Sequence, residues 1–197
     1  MPITIATSTI AAQAVRELER GDFSSFGDDS DIASDVAGAY PTALDFCLTS
    51  EDWTFASRLA DLPPATSATA PADPDLPYLY QLPADCVMLR DVYDDQIAWR
   101  RDGDFLRADA EAGIKIRYTA RTETESKMPA PFREWVSLRL AIMLAPTWLQ
   151  SRSKRRDLYD LAERALVDAK ARDRVAGSGR RWDGDGEMSD WVSEALR

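Results

Sequence analysis

The residues that could carry chemistry in this chain are few, and the first observation about them is a gap. Its 197 residues include no histidine, which removes the commonest general base and the commonest transition-metal ligand. Ser-His-Asp and Cys-His nucleophilic machinery therefore cannot be assembled. Cys47 and Cys86 are far apart and form neither a CxxC pair nor a disulfide framework. The expectation for both is a reduced thiol packed as a small hydrophobe. With two cysteines and carboxylates only, zinc has a poor ligand set. Asp183-Gly184-Asp185-Gly186-Glu187, with Ser189 and Glu194, imitates a calcium loop, but the sixth position is Met188 where glycine is required. A solvated linker is the better reading there. No cofactor and no metal are expected. Carboxylate chemistry stays open, because a glycan hydrolase needs only two carboxylates roughly 5 to 9 Å apart across a cleft; no pair is marked out by the sequence.

Charge is divided unevenly. The net charge is −10, yet residues 1–111 hold 21 acidic and 7 basic side chains, and residues 112–197 hold 13 acidic and 17 basic. A two-faced subunit whose basic end meets a partner fits that division; a solvated acidic face is the plainer alternative. Arg152, Lys154, Arg155 and Arg156 cluster where a helix begins, and cations there oppose the helix dipole. An acidic partner surface or nucleic-acid phosphates would favour them, so these four are a possible partner contact, against the plainer reading of a solvated turn. Nucleic-acid binding as a main function is not expected, since the whole chain is acidic and no stacking motif or recognition helix stands out. No apolar run is long enough for a transmembrane helix. Met1-Pro2-Ile3-Thr4-Ile5 has no basic region before an apolar stretch, so folding in the cytoplasm is expected.

The elements that must position these groups alternate between two periodicities. Ile10, Ala14 and Leu18 predict a helix over Thr7 to Glu19, stopped at Gly21. Asp28-Asp29-Ser30 caps a second helix with an apolar face of Ile32, Val36, Tyr40, Ala43, Leu44 and Cys47. Pro41 inside that pattern should kink or split it. Trp53-Thr54-Phe55-Ala56 is expected to brace the core rather than anchor an interface. Residues 63–77 hold five of the eleven prolines and read as an extended loop. Strands are expected at Tyr78–Tyr80, Val87–Leu89, near Ile97–Trp99, at Phe105–Leu106 and at Ile114–Tyr118, with turns at Asp102-Gly103 and Ala112-Gly113. Phe132, Val136, Leu140, Met143 and Leu144 then mark a helix opening after Pro131 and ending or bending near Pro146. Leu158, Leu161, Ala165, Leu166 and Ala169 mark another from Ser153 to Val175, with Gly177 as its stop. Past it, Met188, Trp191, Val192 and Leu196 recur at helical spacing on a polar, Gly-rich segment. Left exposed they form an apolar patch, so they either fold back on the protein or dock on a neighbour; docking is preferred.

The fold class is α+β: a mainly helical bundle with an inserted small antiparallel β-sheet and an extended C-terminal tail. Its parts are residues 1–62, the first helices of the bundle; 63–127, the loop and inserted sheet; 128–176, the last helices; and 177–197, the tail.

Three segments in this order carry a resemblance. They are Gly27-Asp28-Asp29-Ser30 with Tyr40-Pro41-Thr42-Ala43-Leu44-Asp45 and Trp53-Thr54-Phe55-Ala56; Leu79-Tyr80-Gln81-Leu82-Pro83-Ala84-Asp85-Cys86; and Ile116-Arg117-Tyr118-Thr119-Ala120-Arg121 with Pro131-Phe132 and Arg139-Leu140-Ala141. Together they resemble the tail tubular protein A family of phage head-to-tail adaptors. The resemblance implies a structural, non-enzymatic virion protein made in the host cytoplasm. It implies a ring, a dodecamer in that family, that docks beneath the portal protein and joins it to a downstream tail, stopper or nozzle protein, with DNA passing through the channel. It also implies that the C-terminal segment reaches the portal, which makes Arg180, Arg181, Trp182, Met188, Trp191, Val192 and Leu196 the expected portal-binding residues. The alternatives are a virion-associated glycan hydrolase or another ring of the neck or tail.

Overall fold

The computed structural model describes residues 7–21, 23–65, 73–94 and 96–176. Among them the chain is mixed α+β, with four helices and two three-stranded antiparallel sheets. Helices α1 (Thr9–Glu17) and α2 (Asp31–Ser50) precede all the strands, and α3 (Ala130–Trp148) and α4 (Arg152–Val175) follow them.

Local chemistry sets the helix ends. Ser8 caps α1 by accepting from the Ala11 amide at 2.9 Å, satisfying one of the donors a helix start leaves open. After α1 the backbone turns through Glu19 (φ 57°) and Gly21 (φ 81°). Gly21 thus takes the left-handed conformation expected of a stop, while Glu19 adopts it first and at a steric cost. Ser30 caps α2 through the Ala33 amide at 3.3 Å. Pro41 does not split α2, which is assigned as one helix across it. Proline inside a helix costs about 3 kcal/mol. Val36, Tyr40, Leu44 and Leu48 are all buried on both sides of it, and about 1.5–3 kcal/mol for each large apolar side chain outweighs the defect.

Helix α3 is the centre of the helical region. Phe132, Trp135, Val136, Leu138, Leu140, Ala141, Ile142, Leu144 and Ala145 are buried, which is more than one stripe, because α1, α2 and α4 all pack against it. The stripe of α4 runs through Leu158, Ala162, Ala165 and Ala169. Leu161, expected on that face, is instead 43% exposed. The spacing 158, 162, 165, 169 forms one line along the helix, and residue 161 is a step of about 100° away from 162. Three alanines on the seam let the two helices approach closely.

The strands are β1 (Ser57–Leu62), β2 (Tyr78–Gln81), β3 (Cys86–Val92), β4 (Trp99–Asp102), β5 (Phe105–Ala108) and β6 (Ile114–Ala120). They form sheets ordered β1-β6-β3 and β2-β5-β4. One sheet was expected. The division arises where the chain leaving β1 crosses over: Pro64 bridges Tyr80, and the Ala65 amide donates to the Leu79 carbonyl at 2.7 Å. Strand β1 is missed by the sequence reading, which leaves residues 57–62 with the first helices. Its Ser-Arg-Leu-Ala-Asp-Leu run lacks β-branched and aromatic residues, and pairing with β6 over its whole length makes it a strand. Asp102 pairs with Phe105 across the two-residue turn Gly103-Asp104, with Gly103 at φ 64°, as a type II′ hairpin turn requires. At Gly113 a Cβ would lie 3.3 Å from the Leu62 carbonyl oxygen, so the turn into β6 is packed tightly against β1.

Two cores result. The helical core joins α1, α2, α3 and α4 with Trp53. The sheet core joins Leu62, Tyr80, Leu89, Leu106, Ile116 and their neighbours. Trp53 is 1% exposed. Its Nε1 donates to the Cys47 carbonyl at 2.8 Å, and its ring meets Phe132 and Trp135 at 5.0 and 5.8 Å between centroids. It is the core brace that the sequence implied. Cys47 is buried, Cys86 is half-buried, and both are free thiols.

Candidate interaction surface

Arg180, Arg181, Trp182, Met188, Trp191, Val192 and Leu196, and the calcium-like run at Asp183–Glu187, lie outside the described residues, as does Gly177. Of the expected contact residues, the four at the start of α4 are described. Helix α4 begins where Ser151 accepts from the Lys154 amide at 3.4 Å. The first turn then sends its cations in two directions.

Lys154 turns towards α1, and its Nζ lies 2.5 Å from both carboxylate oxygens of Glu19. Beside it Arg20 donates to the Trp148 carbonyl at 2.8 and 3.1 Å and stands over the Trp148 ring. Trp148 in turn donates to Asp35 at 2.8 Å. Lys154 thus belongs to a clasp holding the α3–α4 corner to α1 and α2, its side chain and that of Glu19 both still exposed.

Arg152, Arg155 and Arg156 turn the other way. With Tyr159 they occupy positions i, i+3, i+4 and i+7, one face of the helix. They wall a groove of about 450 Å³ whose other side is Ile142, Ala145 and Pro146 of α3. Among the described residues no carboxylate pairs with any of the three guanidiniums. Like charges at this spacing cost about 0.2–0.5 kcal/mol per pair, and cations at a helix start add a cost of similar size. The arginines were expected from the sequence; Tyr159 and the apolar wall were not. The register of α4 could have supplied Tyr159; the approach of Pro146 and Ile142 depends on the α3–α4 corner.

Other exposed apolar side chains lie on α4, in the sheet region and on α2. Helix α4 presents Tyr159, Val167 and Val175 at 54%, 65% and 84% exposure, besides Leu161, and the sheets present Leu59, Met88, Tyr93 and Trp99. Phe46 of α2 is also exposed, with the Arg139 guanidinium 3.9 Å above its ring.

Several carboxylates have architectural work. Glu125 accepts from the Thr9 amide at 2.9 Å, from the Thr9 hydroxyl at 2.6 Å, and from Ser8 and Tyr40. Burial and this carboxylate both push the Tyr40 phenol upward. Asp173 accepts from the Thr54 amide and hydroxyl. Asp52 pairs with Arg117 and approaches Arg90 at 4.0 Å. Asp102 pairs with Arg100 and Arg107 at 2.8 Å each, and Arg100 holds it below the usual carboxylate range. Asp45 moves the opposite way: burial raises it despite Arg121 at 3.4 Å. No group of three metal-ligating side chains is found among the described residues, and no described helix is long and apolar enough to cross a membrane. No protein-family profile and no curated protein matches the chain in sequence.

Proposed function

We propose that the chain is a structural head-to-tail adaptor of a tailed bacteriophage virion. Copies of it form a ring, a dodecamer by resemblance, that docks on the portal protein, receives a downstream tail or stopper protein and leaves a channel for DNA. In this reading the helices are the bundle of the ring subunit, the strands are its inserted sheet region, and residues 177–197 are the tail that reaches the portal.

The observation that carries it is the presence of exposed apolar side chains on two different parts of the subunit, α4 and the sheet region, with Phe46 of α2 besides. A ring built head to tail uses two different patches on each subunit, and such contacts close only at the right rotation. The ordered motifs from Gly27 to Ala141 support the same reading. So does the acidic balance of residues 1–111, since a negative channel wall would repel DNA rather than retain it. The glycan hydrolase reading has less support. A groove lined by the three carboxylates Asp160, Glu163 and Asp168 takes all of them from the single helix α4, whereas a hydrolase needs carboxylates flanking a cleft.

The test combines the purified chain with a candidate portal ring and examines both by native mass spectrometry and electron microscopy. The chain alone is expected to be monomeric and to form a ring only on the portal, and Trp191→Ala is expected to weaken that docking. A chain that ignores portal rings, or that hydrolyses a glycan through one replaceable Asp or Glu, overturns the reading.

A further inference from the structure

The groove beside the start of α4 combines three guanidiniums without carboxylate partners among the described residues, an apolar wall and one aromatic ring. Solvated arginines need no explanation singly. Three on one face of one helix, over Ile142, Ala145 and Pro146, present a surface that suits an acidic segment with an apolar side chain.

The chain itself contains such a segment. From Asp183 to Trp191 it carries Asp183, Asp185, Glu187 and Asp190, no basic residue, and the apolar Met188 and Trp191. The described chain ends at Ala176, just past the last residue of α4, Val175. Arg155 is about 30 Å back along the helix from Val175, at about 1.5 Å per residue. An extended chain covers that distance in about nine residues, so Asp185 and every residue after it can reach the groove from the same α4. Tethering of this kind supplies an effective concentration of about millimolar, so even a weak charge-complementary contact is populated.

We infer that the acidic segment Asp183–Trp191 docks in cis into the groove formed by Arg152, Arg155, Arg156, Tyr159 and the end of α3. The carboxylates meet the guanidiniums, and Met188 or Trp191 covers the apolar wall. The inference does not depend on the adaptor reading. Where that reading holds, the same segment leaves the groove when it meets the portal, and the groove holds it back from self-association beforehand.

Hydrogen exchange read by mass spectrometry on the full chain, without portal, tests it. Amides of residues 183–191 are expected to exchange about tenfold or more slowly than a free peptide of that sequence. Arg155→Glu with Arg156→Glu should remove that protection while leaving the circular dichroism unchanged, and high salt should reduce it. Adding Asp183→Arg, Asp185→Arg and Glu187→Arg to that variant should restore it, which a merely structural effect of the arginines would not. Exchange at the free-peptide rate in the unaltered chain overturns the inference. Protection that survives the charge reversal also overturns it. Protection that grows with protein concentration assigns the groove to the segment of a second copy and rejects docking in cis. Free-rate exchange together with Arg-dependent retention of a single-stranded oligonucleotide assigns the groove to phosphates and rejects it as well.

Discussion

The helical and the sheet regions are held together by different means. In the helical region, distant segments meet through large aromatic side chains: Trp53 touches Phe132 and Trp135, and Phe55 lies 4.8 Å from Phe132. The sheet region has a smaller core and relies more on directed polar contacts. Tyr80 donates to the carbonyls of Ala110 and Ala112, pinning the loop before β6, and Arg100, Arg107 and Asp102 tie β4 to β5. Aromatic packing tolerates small displacements; a hydrogen bond weakens steeply with distance and angle. A strand insertion that must keep its shape between helices is therefore fixed by geometry more than by area. The two regions meet at Arg90 of β3. It donates to the carbonyls of Leu48, Thr49 and Glu51 at the end of α2 and to Thr119 of β6. A cation at a helix C-terminus complements the macrodipole, so this one side chain caps a helix and joins the regions.

The largest expected effect tests whether the two cores unfold as one. Trp53→Ala should cost about 3–5 kcal/mol, and Leu106→Ala in the sheet core about 3 kcal/mol. If the regions cooperate, both variants shift a single urea transition seen identically by tryptophan fluorescence and circular dichroism. A split transition in Leu106→Ala, with the helical signal unchanged, would make the sheet an independently melting insert. Next in size is the junction. Arg90→Ala leaves three carbonyls and the Thr119 hydroxyl short of a donor, removes a cation 4.0 Å from Asp52, and should cost about 3 kcal/mol. Its distinctive outcome is loss of coupling: the sheet signal should melt before the helical one, and a uniform shift of both would mean the regions are joined elsewhere.

The smallest effect concerns Asp45, whose Oδ1 is buried without a hydrogen-bond partner. Burial raises this carboxyl above its ordinary value, so the ionised form is disfavoured in the folded chain. Its cost is present at neutral pH, above the folded value, and disappears as pH falls below the unfolded value and both states are protonated. Asp45→Asn should thus be slightly more stable than the unaltered protein at pH 7, by well under 1 kcal/mol because the side chain is partly solvated, and the difference should vanish near pH 3. Thermal melts across that range measure it; a destabilised Asn variant at pH 7 would show that the Arg121 attraction outweighs burial.

Short-range chemistry was legible. Asp28-Asp29-Ser30 marked the start of α2, and Gly103 marked the tightest hairpin, because a cap or a positive φ depends on one or two residues, whereas the Ser8 cap of α1 emerged only in the structure. Periodicity located α4 almost to the residue, and the aromatic run at Trp53 reads as a core brace. The same local signals placed the arginines at the start of α4, but they could not say that Lys154 would find Glu19 while Arg152, Arg155 and Arg156 would face Pro146.

Sequence by itself determined that no histidine is available among the 197 residues, and the order of helix, strand and helix. Tertiary structure decided the rest. It made β1 a strand by pairing an unremarkable segment with β6, kept α2 whole across Pro41, and divided the strands into two sheets at Pro64. It turned Leu161 outward and split one basic cluster into a clasp and a groove. The physical reason is common to all of these: each depends on a partner many residues away, and burial or pairing against that partner outweighs propensities worth at most a few kcal/mol.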